Sequence, residues 1–538
     1  MRKLVTTLVM GSMMFACSLN VFANGREDTR KIKHVLLISV DGLHALDLAN
    51  YVASHPNSTL AALSAQGITY TNAATSQPSD SFPGLTALVT GGSPITAGFW
   101  YDVTYNRKTS PPAATTPYIA EVGTAGGPCP GQIGAVVEYD EAVDVDLTQL
   151  NGGGGINANF LPRDPFNNCT PIYPHQYLRV NTIFEVVKRN GGTTAWTDKH
   201  PSYEWTNGPS GKGVDDFYGP EINSIPVALA AFPGIPTTPP FPTCTPVPSP
   251  DTTPDDGWTT DLNNIKCYDE THVQAVLNQI DGWNHDHSRA VGVPSLFGTN
   301  FQAVSVGEKL AGRGYSDVLG TPSAGLAGEL DFVDASLGLM VSELKKKGIY
   351  DSTLIIVGAK HGQSPIDVTK RVGIGGGQPA TLINGLDSGE AFDISDDGSL
   401  IWLNDQTQTA DIATMLSEPA NQATLGIQEI FAGNSLKDKW DDPTVDPRTP
   451  DIILKVNTGV IFTGGSKIAE HGGINEDDVH VALLVSQAGM TAASVHTAVL
   501  NQQVAPTIVQ ALGYDPDELQ AVQKEQIPVL PFLFTSSH

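Results

Sequence analysis

Cysteine, basic side chains and long apolar runs are all scarce in this 538-residue chain, which has five cysteines and 30 Lys plus Arg against 57 Asp plus Glu, for a formal charge of −27. No two cysteines are spaced as CxxC, which argues against a cysteine-held metal site. The shortage of cations argues against a nucleic-acid polymer as partner, since a polyanion would meet a like-charged surface. An anionic substrate would need local cations to enter such a field. The long apolar run lies at the N-terminus, where Arg2 and Lys3 precede Leu4 to Ala16, and Val21-Phe22-Ala23 offers a cleavage pattern before Asn24. That run is shorter than the roughly 20 residues that cross a bilayer. Residues 1–23 read as a signal peptide, and residues 24–538 as one exported chain, periplasmic or secreted, with no membrane span. Cys17 follows Met13-Met14-Phe15-Ala16, a poor match to a lipoprotein signal.

Beyond the leader, Cys129, Cys169, Cys244 and Cys267 make an even set, and in an exported protein disulfides are the default. Four cysteines allow three pairings. Proximity in sequence favours Cys129 with Cys169 and Cys244 with Cys267, although spacing alone does not decide it. All four fall between about 108 and 290, where the glycine run Gly152 to Gly155 and the proline- and threonine-rich stretch Pro233 to Pro254 break regular structure. This segment is expected to be a loop-rich, disulfide-stapled cap inserted into a single catalytic domain. It either selects substrate or merely elaborates the surface.

On both sides of that segment the pattern is α/β. His34 to Val40 reads as a buried strand ending on Asp41-Gly42, followed by a helical segment near Ser58 to Gln66, an extended Ile68 to Thr71, and a helix opened by Ser81-Phe82-Pro83. From Pro322 to Lys347, Leu326, Leu330, Val333, Leu337 and Val341 recur at helical spacing, with Gly348 as the C-cap. Thr353 to Gly358 then reads as a strand whose end carries Lys360-His361-Gly362. Further strands are expected over Asp451 to Val456 and His480 to Val485, with His471-Gly472-Gly473 in the loop between them.

Loops beyond the carboxyl ends of parallel strands hold ligands in such folds, so Asp41, Ser81, His361 and His471 are the candidates for chemistry. A carboxylate with imidazoles suits zinc or a similar divalent ion, and a metal touching Ser81 would promote its alkoxide. Each signal alone is weak. A DG turn usually just ends a strand, and a lone His-Gly is more often a capping feature. Trp100, Tyr101, Trp196 and Trp205 could stack on a base or simply pack in a core. The Asp198-Lys199-His200 and His285-Asp286-His287 clusters read as solvated loops more readily than as ligand sets, and His44 either reaches the site rim or caps the next helix.

The order and wording of these segments resemble the type I phosphodiesterase/nucleotide pyrophosphatase branch of the alkaline phosphatase superfamily. The resemblance rests on Val40-Asp41-Gly42, Ser81-Phe82-Pro83, Leu88 to Pro94, Ala97 to Asp102, Val333-Asp334, His361-Gly362, His471-Gly472 and Ala505-Pro506-Thr507. It implies an α/β/α sandwich with a mostly parallel central sheet and one or two divalent ions, usually zinc, beside a Ser or Thr nucleophile. By this resemblance Asp41, Ser81 and His361 would hold one metal and His471 would belong to the other.

The sequence departs from the family pattern in places. Lys360 stands where an aspartate is common, and an ungapped alignment from Val333-Asp334 sets Asp317 at a ligand histidine, with Asn300 or Gln302 as substitutes for an aspartate. Gly84 replaces an asparagine that often follows Phe-Pro, so the amide of Phe82 or a side chain from the cap is left to bind phosphoryl oxygen. Lys360 either supplies the missing positive charge at the transition state or points to solvent after the strand ends.

The expected protein is a metal-dependent phosphoric ester hydrolase acting on a small phosphodiester or nucleotide, through a covalent intermediate on Ser81. The alternatives are a phosphomonoesterase or phosphonate hydrolase of the same superfamily, or a noncatalytic binding protein with an altered metal site. A formylglycine sulfatase is disfavoured, because its C/S-x-P-x-R core is absent at Ser81.

Overall fold

In the computed structural model, which describes residues 32–114, 129, 131, 133–139, 143–146, 148–151, 153–244, 257–386 and 389–534, two sheets organise the chain. The expected signal peptide and Cys17 lie outside the described residues. The strands of these two sheets are β1 (His34–Val40), β2 (Gly67–Tyr70), β3 (Ala195–Thr197), β4 (Asp216–Tyr218), β5 (Leu296–Phe301), β6 (Thr353–Gly358), β7 (Glu390–Ser395), β8 (Gly398–Leu403), β9 (Ile427–Ala432), β10 (Ile452–Val456), β11 (Leu483–Ser486) and β12 (Ala493–Val495). The main sheet has the order β12-β2-β11-β6-β1-β5-β3-β4. Its strands run parallel except β11, which is antiparallel to β6 and β2.

The helices that matter for the site are α1 (Ala45–Ser54), α2 (Thr59–Ser64), α3 (Ser81–Thr90), α4 (Leu262–Ile280), α5 (Ala303–Lys309), α6 (Ala324–Lys346) and α7 (Val504–Ala511). Alternation along β1 sends Val35 and Leu37 into the core under α3 and α7, and Leu36, Ile38 and Val40 into the core under α1, α4, α5 and α6. Burying each such side chain contributes about 1.5–3 kcal/mol. The result is the expected α/β/α sandwich.

Local signals explain the boundaries. Ser58 caps α2 through its side chain, and Ser323 accepts from the amides of Gly325 and Leu326 to start α6. Gly348 follows α6 at φ +70°, the left-handed conformation that ends helices. Asp334, inside α6, accepts from the amides of Thr59 and Leu60 at 3.0 and 2.7 Å, so one acid both sits in α6 and holds the first turn of α2.

Three expectations are modified. The strand expected over Asp451 to Val456 is β10, which belongs to a separate antiparallel sheet of order β7-β8-β10-β9. The stretch His480 to Val485 divides, with Val481 pairing to Ala73 and β11 starting at Leu483. The segment 108–290 also supplies β3, β4 and α4 to the main sandwich, so it is not an insertion throughout. Its disulfides are Cys129–Cys169 and Cys244–Cys267, the pairing that sequence proximity favours.

Candidate active site

Because β6, β1, β5 and β3 lie side by side in that order and run parallel, the residues just past their carboxyl ends share one edge: Asp41, Gln302, Asp198 with Lys199, and Lys360 with His361. Two backbone bonds lock β1 to its neighbours there. The Asp41 amide donates to the Phe301 carbonyl at 2.9 Å, and the Gly42 amide to the His361 carbonyl at 3.1 Å. Gly42 has φ +86°, and a Cβ there would lie 2.6 Å from Glu308 Oε2, so only glycine fits this turn.

Ser81 enters the same edge as the first residue of α3. Asp80 is the N-cap, its Oδ2 accepting from the Phe82 amide at 3.0 Å. Pro83 has no amide hydrogen, and the Gly84 amide donates to the Asp80 carbonyl at 2.8 Å. The Phe82 amide is thus engaged by Asp80, and the expectation that it binds phosphoryl oxygen is corrected. Gly84 has a packing reason: a Cβ there would stand 2.1 Å from the Lys360 carbonyl oxygen. The first turn of α3 lies directly on the backbone of the Lys360 turn, leaving no room for asparagine.

The Ser81 hydroxyl sits between two cationic or ionisable groups. Lys199 Nζ donates to its Oγ at 3.0 Å, and His361 Nε2 is 3.3 Å away. Asp41 Oδ2 accepts from Gln302 Nε2 at 2.6 Å and lies 3.5 Å from His361 Nε2 and 3.8 Å from Lys199 Nζ. His471 stacks obliquely on His361 with ring centroids 3.8 Å apart, and its Nδ1 is 3.7 Å from Asp80 Oδ1. Asp41, Ser81, Lys360 and His361 are wholly buried, whereas Lys199 and His471 are each 9% exposed and so form the mouth of the site. Burial alone would raise the Asp41 carboxyl, but the charges of Lys360, His361 and Lys199 hold it well below the usual range. Burial, reinforced by His361, keeps the His471 imidazole neutral.

Lys360 does not point to solvent. Its Nζ donates to Asp198 Oδ1 at 2.8 Å and lies 4.3 Å from the centre of the Tyr203 ring. Asp198 also accepts from the Lys199 amide at 2.9 Å and from Trp196 Nε1 at 3.0 Å. The buried ion pair therefore fixes the backbone from which Lys199 reaches Ser81.

Residues 35–122 and 196–480 match the family model described as Type I phosphodiesterase / nucleotide pyrophosphatase, which spans most of the chain. The chain belongs to that family. It is thereby a hydrolase of phosphoric ester or phosphoanhydride bonds. No curated protein sequence matches it. Among solved structures, it is similar to murine ectonucleotide pyrophosphatase / phosphodiesterase 5, with 11% identity, a TM-score of 0.54, and coverage of 90% of this chain and 96% of that one. It is also similar to alkaline phosphatase PafA, with 13% identity, a TM-score of 0.56 and the same coverages. The human ectonucleotide pyrophosphatase / phosphodiesterase 5 gives 14% identity and 0.51, covering 89% and 95%.

Of the residues that sequence singled out in this family member, the structure brings Asp41, Ser81, Lys360, His361 and His471 together. It does not bring Asp317. That carboxylate is on an exposed loop, accepting from the amides of Leu319 and Thr321 at 2.9 and 3.1 Å. An alignment counted backwards along α6 failed because the loop ahead of the helix takes its own path. Asn300, on β5, is buried, with neither side-chain atom hydrogen bonded. Trp100, Trp196 and Trp205 are fully buried packing residues, and Tyr101 donates to Asp396 Oδ2 at 2.6 Å. His285 pairs with Asp216 at 2.7 Å rather than with His287.

Gln302, offered from sequence as a substitute ligand, instead donates to Asp41; Asp198 and Lys199, read from sequence as a solvated loop, are buried in the site; and Asp80 is the member that sequence reading did not name. The available signal was the position of Asp198-Lys199 directly after a short strand, hidden because β3 spans only three residues.

Proposed function

We propose that the protein hydrolyses a phosphodiester or nucleotide pyrophosphate bond with Ser81 as nucleophile. The observation that carries this reading is the Ser81 hydroxyl at a helix start, buried and held between Lys199 and His361. The solved AMP complex of an inactive variant of murine ectonucleotide pyrophosphatase / phosphodiesterase 5 supports a nucleotide as substrate class.

The donors present fit one divalent cation better than two. Asp41 Oδ1 is buried without a hydrogen-bond partner, and Asp41, Ser81 and His361 offer the carboxylate, hydroxyl and imidazole that zinc accepts. The other set is sparse: His471 Nδ1 and Asp80 Oδ1, 3.7 Å apart, are buried without a hydrogen bond, but the neighbouring strand end offers Asn300 in place of an acid. A cation held by Asp41, Ser81 and His361 would supply positive charge that favours the Ser81 alkoxide and draws electron density from phosphorus.

The chain's own residues supply the rest. Ser81 Oγ attacks phosphorus, the ester or anhydride bond breaks, and the alcohol or nucleotide part leaves. Lys199, at the mouth and already bonded to Ser81, follows the charge onto the phosphoryl oxygens. Lys360, spent on Asp198, acts as a positioning residue for Lys199, a role that replaces the direct phosphoryl contact expected of it. Water then cleaves the phosphoserine, and two successive in-line displacements leave the configuration at phosphorus retained. Export of the chain, as its leader and disulfides suggest, would put this reaction in the periplasm or outside the cell.

Ser81→Ala is expected to lower turnover of an aryl phosphodiester at least about a thousandfold, roughly 4 kcal/mol, while leaving the circular dichroism spectrum unchanged. Retained activity would remove Ser81 from the mechanism. Lys199 beside the nucleophile also suits the extra charge of a monoester, so aryl diester, monoester and sulfate turnover should be compared. Faster monoester hydrolysis would overturn the diester preference.

A further inference from the structure

Below the catalytic edge, a second set of metal-type donors converges where no catalytic role is needed. His44 Nδ1 lies 2.9 Å from Asp47 Oδ2, 3.3 Å from Glu308 Oε1 and 2.7 Å from the Tyr315 hydroxyl. The hydroxyl lies 2.9 Å from each of those carboxylate oxygens. Five of the six edges of a tetrahedron thus measure 2.7–3.3 Å. Four donors around zinc at about 2.0–2.1 Å stand about 3.3 Å apart, so expansion by a few tenths of an ångström would admit the ion.

Charge and surroundings call for a cation here, either a metal ion or a proton on His44: burial opposes a charged imidazole, but Glu308 and Asp47 hold its pKa well above the usual value. Side chains of His44, Asp47 and Glu308 are at most 1% exposed, and among the described residues the ion pairs of both acids run to His44 alone. Asp47 Oδ1 is buried with no hydrogen-bond partner at all. Two carboxylates in a dry interior are costly unless a positive charge joins them.

The outer shell is built in the manner of a metal site. The Gln363 amide donates to His44 Nε2 at 3.0 Å and the Gln363 carbonyl oxygen lies 2.9 Å from the same nitrogen; a cation on Nδ1 requires the tautomer whose Nε2 proton turns to that carbonyl. Gln363 Nε2 donates to Glu308 Oε2 at 2.6 Å, and Ser305 Oγ donates to Gln363 Oε1 at 2.6 Å.

We propose that His44, Asp47, Glu308 and Tyr315 form a structural site for a zinc-type divalent cation, separate from the Ser81 site. The site would brace both catalytic turns. Glu308 Oε2 closes on Gly42, next to Asp41, and the His44 ring closes on Gly362, next to His361, where a Cβ would lie 2.9 Å away.

The test is metal stoichiometry by mass spectrometry on the purified full chain after dialysis against zinc, together with melting before and after chelation. Asp41→Asn is expected to keep one equivalent of metal and a melting temperature that falls on chelation. Glu308→Gln in the Asp41→Asn background is expected to lose that equivalent and its response to chelator. Should this protein not fold, Tyr315→Phe in the same background is expected to weaken zinc binding at least tenfold. Cobalt added to Asp41→Asn should give the strong visible absorption of four-coordinate Co2+. The proposal fails if Asp41→Asn holds no metal, or if the second substitution leaves stoichiometry and affinity unchanged, the outcome expected of a proton-bridged network. Neither result depends on the hydrolase reading, which Ser81→Ala tests separately.

Discussion

The two halves of the catalytic edge are built on different principles. On one side, Asp41 and Ser81 follow short, rigid turns whose geometry is set by Gly42 and by the Asp80 cap. On the other, the Lys360 and Lys199 turns are held by a buried ion pair, Lys360 with Asp198, and by the backbone contact of Gly84 with Lys360. The first half presents a carboxylate and a hydroxyl, and the second carries the cations that keep that carboxylate ionised. A site of this kind exchanges acid ligands for ammonium groups and keeps the nucleophile between them.

The comparison breaks most severely at the ion pair. Lys360→Met should leave Asp198 charged and buried, destabilising the fold by about 3–5 kcal/mol, as measured by urea unfolding. Adding Asp198→Asn should recover most of that loss, and if it does not, the pair is not what holds the second half. Next, Lys199→Met should lower kcat for the diester by about a hundred- to a thousandfold, or about 2.7–4 kcal/mol, with the fold intact. An unchanged kcat would leave His361 as the single partner of Ser81.

A smaller effect sharpens the comparison through pH. Asp397 and Asp478 are buried acceptors with no donor between them, beside Gly473 of the His471 loop. Burial pushes Asp478 up to about 7, and burial with Asp478 alongside raises Asp397 further. Carboxyls raised by folding contribute stability that is present at low pH and lost as pH climbs through the folded value. Melting temperature should therefore fall between about pH 5 and pH 8, and Asp397→Asn should flatten that slope by roughly 1 kcal/mol or more. An equally steep decline in the variant would place its origin elsewhere. Least of all, Asp317→Ala should change turnover and metal content by less than about twofold, since exposed substitutions are usually neutral.

Much of the first half was legible in sequence because each feature is local. A buried run ending on Asp41-Gly42, a helix opened by Ser81-Phe82-Pro83, and the periodic apolar face of α6 are short-range patterns. The second half was not. Lys199 reaches Ser81 across 118 positions of sequence, and β3, which delivers it, is too short to show periodicity. Lys360 was visible as an oddity, but its partner Asp198 lay in a segment whose glycine and proline content suggested loops. Asp317 misled for the opposite reason: an ungapped count carried a helix register into a loop that has none.

Sequence by itself therefore determined the α/β rhythm, the positions of Asp41, Ser81, His361 and His471, and the residues available for disulfides, because strand, turn and cap chemistry act over a few residues. Tertiary structure alone decided which lysine meets the nucleophile, which acid pairs with Lys360, and that His44, Asp47, Glu308 and Tyr315 share one buried point. Such choices depend on which strand ends a parallel sheet sets side by side, and that order is not written along the chain.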